Sequence, residues 1–145
     1  MGIDITAEVM IERPREAVAA FAVNSANDPA WIGGVVESKA LTDGPFGKGS
    51  KVQRTAKFLG RRMRYTTEVA EYEPSALLAM RAEAPFPMTI RYEFVESEGQ
   101  TLARIRVTGE GSGFYNLAAP LLAMMVKRNV SRDLRTLKRL LESDG

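Results

Sequence analysis

Arg54 stands between Val52 and Ala56 on the apolar side of an alternating stretch. A guanidinium carried into an apolar interior needs an anion, because burying it unpaired costs several kcal/mol. Two readings follow. In the first, Arg54 meets a carboxylate, phosphate or enolate oxygen of a ligand. In the second its charge is structural, either carried to a pocket rim by strand twist or paired with an internal acid such as Glu71. Tyr65 and Tyr92 fall on the apolar sides of two later alternating stretches. There a phenol hydroxyl can orient a ligand or donate a proton; alternatively the ring is core and the hydroxyl finds backbone or solvent. Arg54, Tyr65 and Tyr92 are the candidate catalytic residues.

The chemistry open to them is narrowed by two absences. The 145 residues include neither His nor Cys. That removes an imidazole base, a Ser-His dyad, a thiol nucleophile, disulfides and the usual zinc ligands. No carboxylate metal cluster, phosphate-binding loop or nucleophile elbow is evident, so neither a metal nor a cofactor is expected. Any catalysis has to use carboxylates, Tyr, Lys, Arg, hydroxyls or bound water. A formal charge of +2 gives no bulk attraction to nucleic acid or to an anionic membrane. The start of the chain is neither a secretory signal nor a membrane span, and a cytoplasmic location is the default expectation.

The elements that would position these residues follow from periodicity. Residues 3–12 alternate, with Ile3, Ile5, Ala7, Val9 and Ile11 on one face, the signature of a half-buried strand. Pro14 opens a short helix over about 14–22, with Ala17, Val18, Ala20 and Phe21 as its apolar face. Asn27 or Asp28 before Pro29 reads as the N-cap of a second, over about 27–33, carrying Trp31. Six strands then succeed one another between about 34 and 110, joined by Gly- and Pro-marked turns too short for anything but antiparallel pairing. Val52, Arg54, Ala56 and Phe58 share a side, as do Met63, Tyr65, Thr67 and Val69; Met88, Ile90, Tyr92 and Phe94; and Ala103, Ile105 and Val107. The opposite side is charged, so one face is dry and the other wet. A helical stretch over about 112–142 closes the chain. Val130, Leu134, Leu137 and Leu141 form a clean stripe there, whereas 121–126 is apolar nearly all round and Pro120 must kink or restart the helix. Together these predict a single α+β domain over 1–145: a curved, antiparallel, seven-stranded sheet wrapped around a long C-terminal helix.

Several segments, in order, carry a family resemblance: Arg13-Pro14-Arg15-Glu16-Ala17-Val18, Asn27-Asp28-Pro29-Ala30-Trp31 and Val36-Glu37-Ser38. Gly44-Pro45, Gly47-Lys48-Gly49, Glu71-Tyr72-Glu73-Pro74 and Asp133-Leu134-Arg135-Thr136-Leu137-Lys138 continue it. They resemble the START-related polyketide cyclase/dehydrase and lipid-transport superfamily (SRPBCC), whose architecture is the helix-grip fold. The resemblance implies a deep cavity between sheet and helix that takes hydrophobic small molecules or lipids. Superfamily members include polyketide aromatase/cyclases, lipid carriers, allergen-type binders and chaperone regulators. The acid–base His of some enzymatic members has no counterpart here.

Candidate ligand-binding residues are Trp31, Arg54, Phe58, Met63, Tyr65, Thr67, Met88 and Tyr92, with Phe114, Leu117, Leu121 and Met125 from the closing helix. For each apolar one the plain counterpart is core packing; as a set, a Met-rich lining suits a ligand of variable shape. Trp31 is either a gate or a plug. The 121–126 run faces ligand, lipid or the second subunit of a homodimer. Outward Arg62, Arg64, Arg91, Arg104 and Arg106, interleaved with Glu68 and Glu93, read as solvated surface rather than a docking patch. Binding or transport of a hydrophobic small molecule is the leading expectation. A polyketide aromatase/cyclase-like enzyme using Arg and Tyr is the alternative, and a protein-interaction module the third.

Overall fold

The computed structural model describes residues 2–58, 60–83, 87–110 and 119–143. Seven strands form one sheet: β1 (Gly2–Ile11), β2 (Val35–Ala40), β3 (Lys51–Phe58), β4 (Arg61–Glu73), β5 (Leu77–Ala82), β6 (Met88–Ser97) and β7 (Gln100–Glu110). Their order across the sheet is β1-β7-β6-β5-β4-β3-β2, every neighbouring pair antiparallel. The chain therefore runs as a meander from β2 to β7 and closes by laying β7 beside β1. Two short helices, α1 (Arg15–Val23) and α2 (Asp28–Trp31), separated by a 3-10 turn at Ser25–Asn27, link the two edge strands. The long helix α3 (Ala119–Ser143) ends the described chain. This is the helix-grip architecture.

Period-two patterning sets the inner face of the sheet. Val52 and Arg54, Thr67 and Val69, Leu78 and Met80, Tyr92 and Phe94, Ala103, Ile105 and Val107 are all buried. The pairing slips between Val69 and Glu71, where Ala70 is an extra residue. Such a bulge reverses the alternation and bends the strand, which is why Tyr72, of opposite parity to Val69, packs against the core. A second slip between Val35 and Glu37 bends edge strand β2. On the outer face Arg106 pairs with Asp4, Arg104 with Glu8 and Glu93, and Arg91 with Glu71 and Glu93. Glu71 is thus an outer-face residue and has no part in holding Arg54.

Two local readings are corrected. Pro14 caps α1 with extended backbone (φ −62°, ψ 148°) and lies outside the helix. The buried face of α1 is Val18, Ala19 and Ala22, with Ala17 and Ala20 exposed. Pro120 is the second described residue of α3, and residues 112–118, where the expected helical stretch begins, lie outside the described residues.

Helix α3 is anchored at its C-terminal end. Leu134, Leu137 and Leu141 are buried, and Lys138 Nζ donates to the Met10 carbonyl (2.7 Å). Glu142 accepts from the Glu12 N–H (2.8 Å), and Arg13 Nε donates to the Leu141 carbonyl (2.8 Å). The N-terminal half has no such ties among the described residues and forms one wall of a hollow.

Candidate functional site

That hollow is a cavity of about 440 Å³ between the inner sheet face, α2 and the N-terminal half of α3. Met63, Met80, Met88, Ile90, Ile105 and Val107 give it an apolar wall from the strands, and Leu122, Met125 and Val126 supply the helix side. Gly33, Gly34 and Lys57 are the exposed lining residues and mark its opening beside β2 and β3. The Arg132 guanidinium lies close over Gly33, where a Cβ would have to push this flexible side-chain end aside.

Polar groups converge at one end. Arg54 is 6% exposed, directly opposite Tyr65 across the β3–β4 ladder. Its Nε donates to Asp28 Oδ2 (2.6 Å), its Nη1 donates to the Thr67 hydroxyl, and its Nη2 meets only the Met80 sulfur (3.8 Å). Asp28 is 2% exposed and accepts a second hydrogen bond from Ser38 Oγ (3.2 Å). Arg54 is therefore an internal charge with an internal partner, away from any rim. Burial raises the Asp28 carboxyl above the ordinary carboxylate value, against the pull of Arg54 and Ser38. Burial also works against the Arg54 charge, but Asp28 and the two nearby phenols outweigh it, and its pKa lies above the usual guanidinium value.

Sequence reasoning missed Asp28 because Asp-Pro ahead of a short helix has the look of a cap. The cap position is Asn27, which makes no side-chain capping bond, and Asp28 turns inward instead. The available signal was Arg54 itself, which needed an acid.

Tyr92 is 6% exposed and packs against Trp31 with centroids 5.8 Å apart. Neither its hydroxyl nor that of Tyr65 has a hydrogen-bond partner among the described residues, and both side chains line the cavity. Burial pushes both phenols above the ordinary tyrosine value, so at neutral pH they are hydrogen-bond donors. Trp31, 3% exposed, lines the same cavity, and its buried Nε1 is without a partner among the described residues. Asp133 enters from α3, its Oδ1 accepting the Gly33 N–H (2.9 Å).

Burial raises the Asp133 carboxyl too, with the Gly33 N–H and Arg132 opposing. A carboxyl raised in the folded state binds its proton more tightly there than in the unfolded chain, so its ionisation costs stability as pH climbs past the unfolded value. Asp133→Asn keeps an oxygen for the Gly33 N–H. The variant is expected to match the parent in thermal melts at acid pH and to exceed it increasingly toward neutrality. A gap that shrinks with rising pH would refute this.

Of the residues expected at the site, Trp31, Arg54, Met63, Tyr65, Thr67, Met88, Tyr92 and Met125 line one cavity. Leu121 does not: it is 66% exposed, and Leu122 holds the lining position. The Phe58 side chain, Phe114 and Leu117 lie outside the described residues.

Residues 2–142 match the family of polyketide cyclase / dehydrase and lipid transport proteins. The chain belongs to that family. No curated protein sequence matches it. Among solved structures it is similar to the Zhui aromatase/cyclase from Streptomyces sp. R1128 (TM-score 0.80, 15% identity, 98% of this chain and 94% of that one). It is equally similar to a START superfamily protein from Mycobacterium smegmatis (TM-score 0.80, 13% identity, 98% and 99%). The di-domain ARO/CYC BexL from the BE-7585A biosynthetic pathway matches at TM-score 0.80 and 16% identity; 96% of this chain aligns, spanning 46% of that protein. Identities this low show a shared fold. Family membership makes a ligand-binding helix-grip domain the coarse description of the chain.

Proposed function

We propose that this protein binds and carries a hydrophobic small molecule whose single polar end is a neutral oxygen function. The observation that carries the reading is the two-ended cavity, apolar along its length with hydrogen-bond donors gathered at one end. Arg54 is the only buried cation among the described lining residues, and Asp28 already neutralises it. Asp133 adds a further carboxyl, and Lys57 is exposed at the opening, so a ligand carboxylate at the polar end would meet no unpaired buried cation among the described residues. The phenols of Tyr65 and Tyr92, without hydrogen-bond partners among the described residues, instead offer donors to a carbonyl, lactone or phenol oxygen. Trp31 then serves as part of the binding wall. Native mass spectrometry of the purified protein should reveal a co-purified neutral ligand, and added isoprenoid ketones should bind ahead of fatty acids. A chain that stays empty and takes up neither class would defeat the carrier reading.

The cyclase reading has one observation in its favour. Asp133, Tyr65 and Tyr92 are groups able to exchange protons around a cavity able to fold a flexible chain, and positioning alone can contribute several kcal/mol to a cyclisation. The same spectra separate the two. A poly-β-ketone returned lighter by a water, its ring closed, marks an enzyme; one returned unchanged marks a carrier.

A further inference from the structure

The outward stripe of α3 is unlike the rest of the surface. Leu121, Met124, Arg128, Arg132, Arg135 and Arg139 are spaced by steps of three and four, so they share one face of the helix opposite the buried leucines. All six are exposed, Leu121 by 66% and Met124 by 60%. The stripe contains no acid. The described carboxylates on α3 are Asp133, buried toward the cavity, and Glu142, held by Lys138 and the Glu12 N–H. Arg132 leans toward Asp133 (3.7 Å), while Arg128, Arg135 and Arg139 have no ion-pair partner among the described residues. On the outer sheet face Arg91, Arg104 and Arg106 each meet a carboxylate, and Arg64 and Arg81, without an ion pair among the described residues, lie beside Glu68 and Glu83, so acids are interleaved there as they are not on the stripe. A net charge of +2 hides this segregation.

From this stripe we infer that α3 docks the protein onto an anionic lipid bilayer, with Leu121 and Met124 entering the interface and the arginines lying along the headgroups. A straight helical stripe about 27 Å long is tangent to a flat surface along its whole length. Arginines suit lipid phosphates, and two long apolar side chains at one end suit the headgroup–acyl boundary. A nucleic acid would use the arginines and gain little from Leu121 and Met124, whereas a bilayer engages both along one line. Their neighbours Leu122 and Met125 line the cavity, so the docked helix would hold the cavity wall at the bilayer. This deepens the carrier reading by naming the surface that a ligand leaves or enters.

The test is co-sedimentation of the full chain with phosphatidylcholine vesicles, with and without phosphatidylserine. Binding should require phosphatidylserine and weaken as salt rises. An arginine brought to such a surface strengthens partitioning about fivefold. Arg128→Glu with Arg135→Glu changes the charge of the stripe by four and should therefore weaken it by roughly several hundredfold. Leu121→Ser with Met124→Ser should reduce it at every salt concentration. Ligand uptake in vesicle-free solution, read by native mass spectrometry on the same variants, should be unchanged. Equal binding to neutral vesicles, or insensitivity to either pair of substitutions, would overturn the docking surface. So would binding to heparin as strong as to the vesicles and indifferent to Leu121 and Met124, which would mark a generic polyanion site. Loss of ligand uptake in the parent protein would instead strike the carrier reading and leave the docking result standing.

Discussion

Asp28→Ala is expected to destabilise the protein by about 3–5 kcal/mol, because it strips the partner from a buried guanidinium while leaving the charge in place. Arg54 would keep the Thr67 hydroxyl and the Met80 sulfur, neither of which carries charge. Against a total stability of about 5–15 kcal/mol, that loss is a large fraction of the whole. Urea unfolding would read it as a lowered midpoint at unchanged slope. Removing both charges, with Asp28→Asn and Arg54→Met together, should recover most of the loss, since no ion is then stranded. Asp28→Asn alone carries a functional consequence as well. It leaves Arg54 unneutralised beside the cavity, so the variant should gain affinity for fatty acids that the parent declines. A cost below about 1 kcal/mol for Asp28→Ala, with no change in ligand preference, would show that the pair acts as a hydrated surface bridge.

How this pair escaped sequence reasoning shows what a linear reading supplies. The inward placement of Arg54, Tyr65 and Tyr92 follows from period two, a local property that survives wherever the strand is regular. The identity of a partner is not local. Asp28 lies 26 residues before Arg54, on a different element, and its Asp-Pro context satisfies a capping rule. Glu71 is the nearer acid along the strands, but the bulge at Ala70 breaks the parity that would place it inside with Arg54. Seven strands and their faces were legible because their residues alternate; a bulge leaves no mark in composition.

The closing helix makes the same point with a different period. Over 121–126 almost every residue is apolar, so the local pattern cannot choose between Leu121 and Leu122. The choice was available from farther down the helix. Extending the stripe Leu141, Leu137, Leu134 and Val130 backwards reaches Val126 and then Leu122 and Ala123, leaving Leu121 and Met124 on the outside. The helix phase is fixed where the stripe is clean and holds where it is not. The same phase gathers four arginines onto one line, which a charge total conceals.

Ala56→Phe is expected to separate stability from binding. Ala56 is half-buried on β3, opposite Met63 of β4 and Val35 of β2, and its side chain faces the cavity. In a packed core the added ring would force neighbours off their rotamers and cost about 1–3 kcal/mol. In a hollow of about 440 Å³ it has room. It should then bury new apolar surface and leave stability equal or about 0.5–2 kcal/mol higher, as cavity-filling substitutions commonly do. The ligand would lose the space it needs along the apolar wall, and its affinity should fall by at least about a hundredfold, close to 3 kcal/mol. Calorimetric melts and native mass spectrometry on one variant therefore answer one question from opposite sides. Lower stability with unchanged binding would mean that this stretch of β3 is ordinary core and the ligand, if any, sits elsewhere. Higher stability with abolished binding requires that the sheet and α3 stand apart in the native protein.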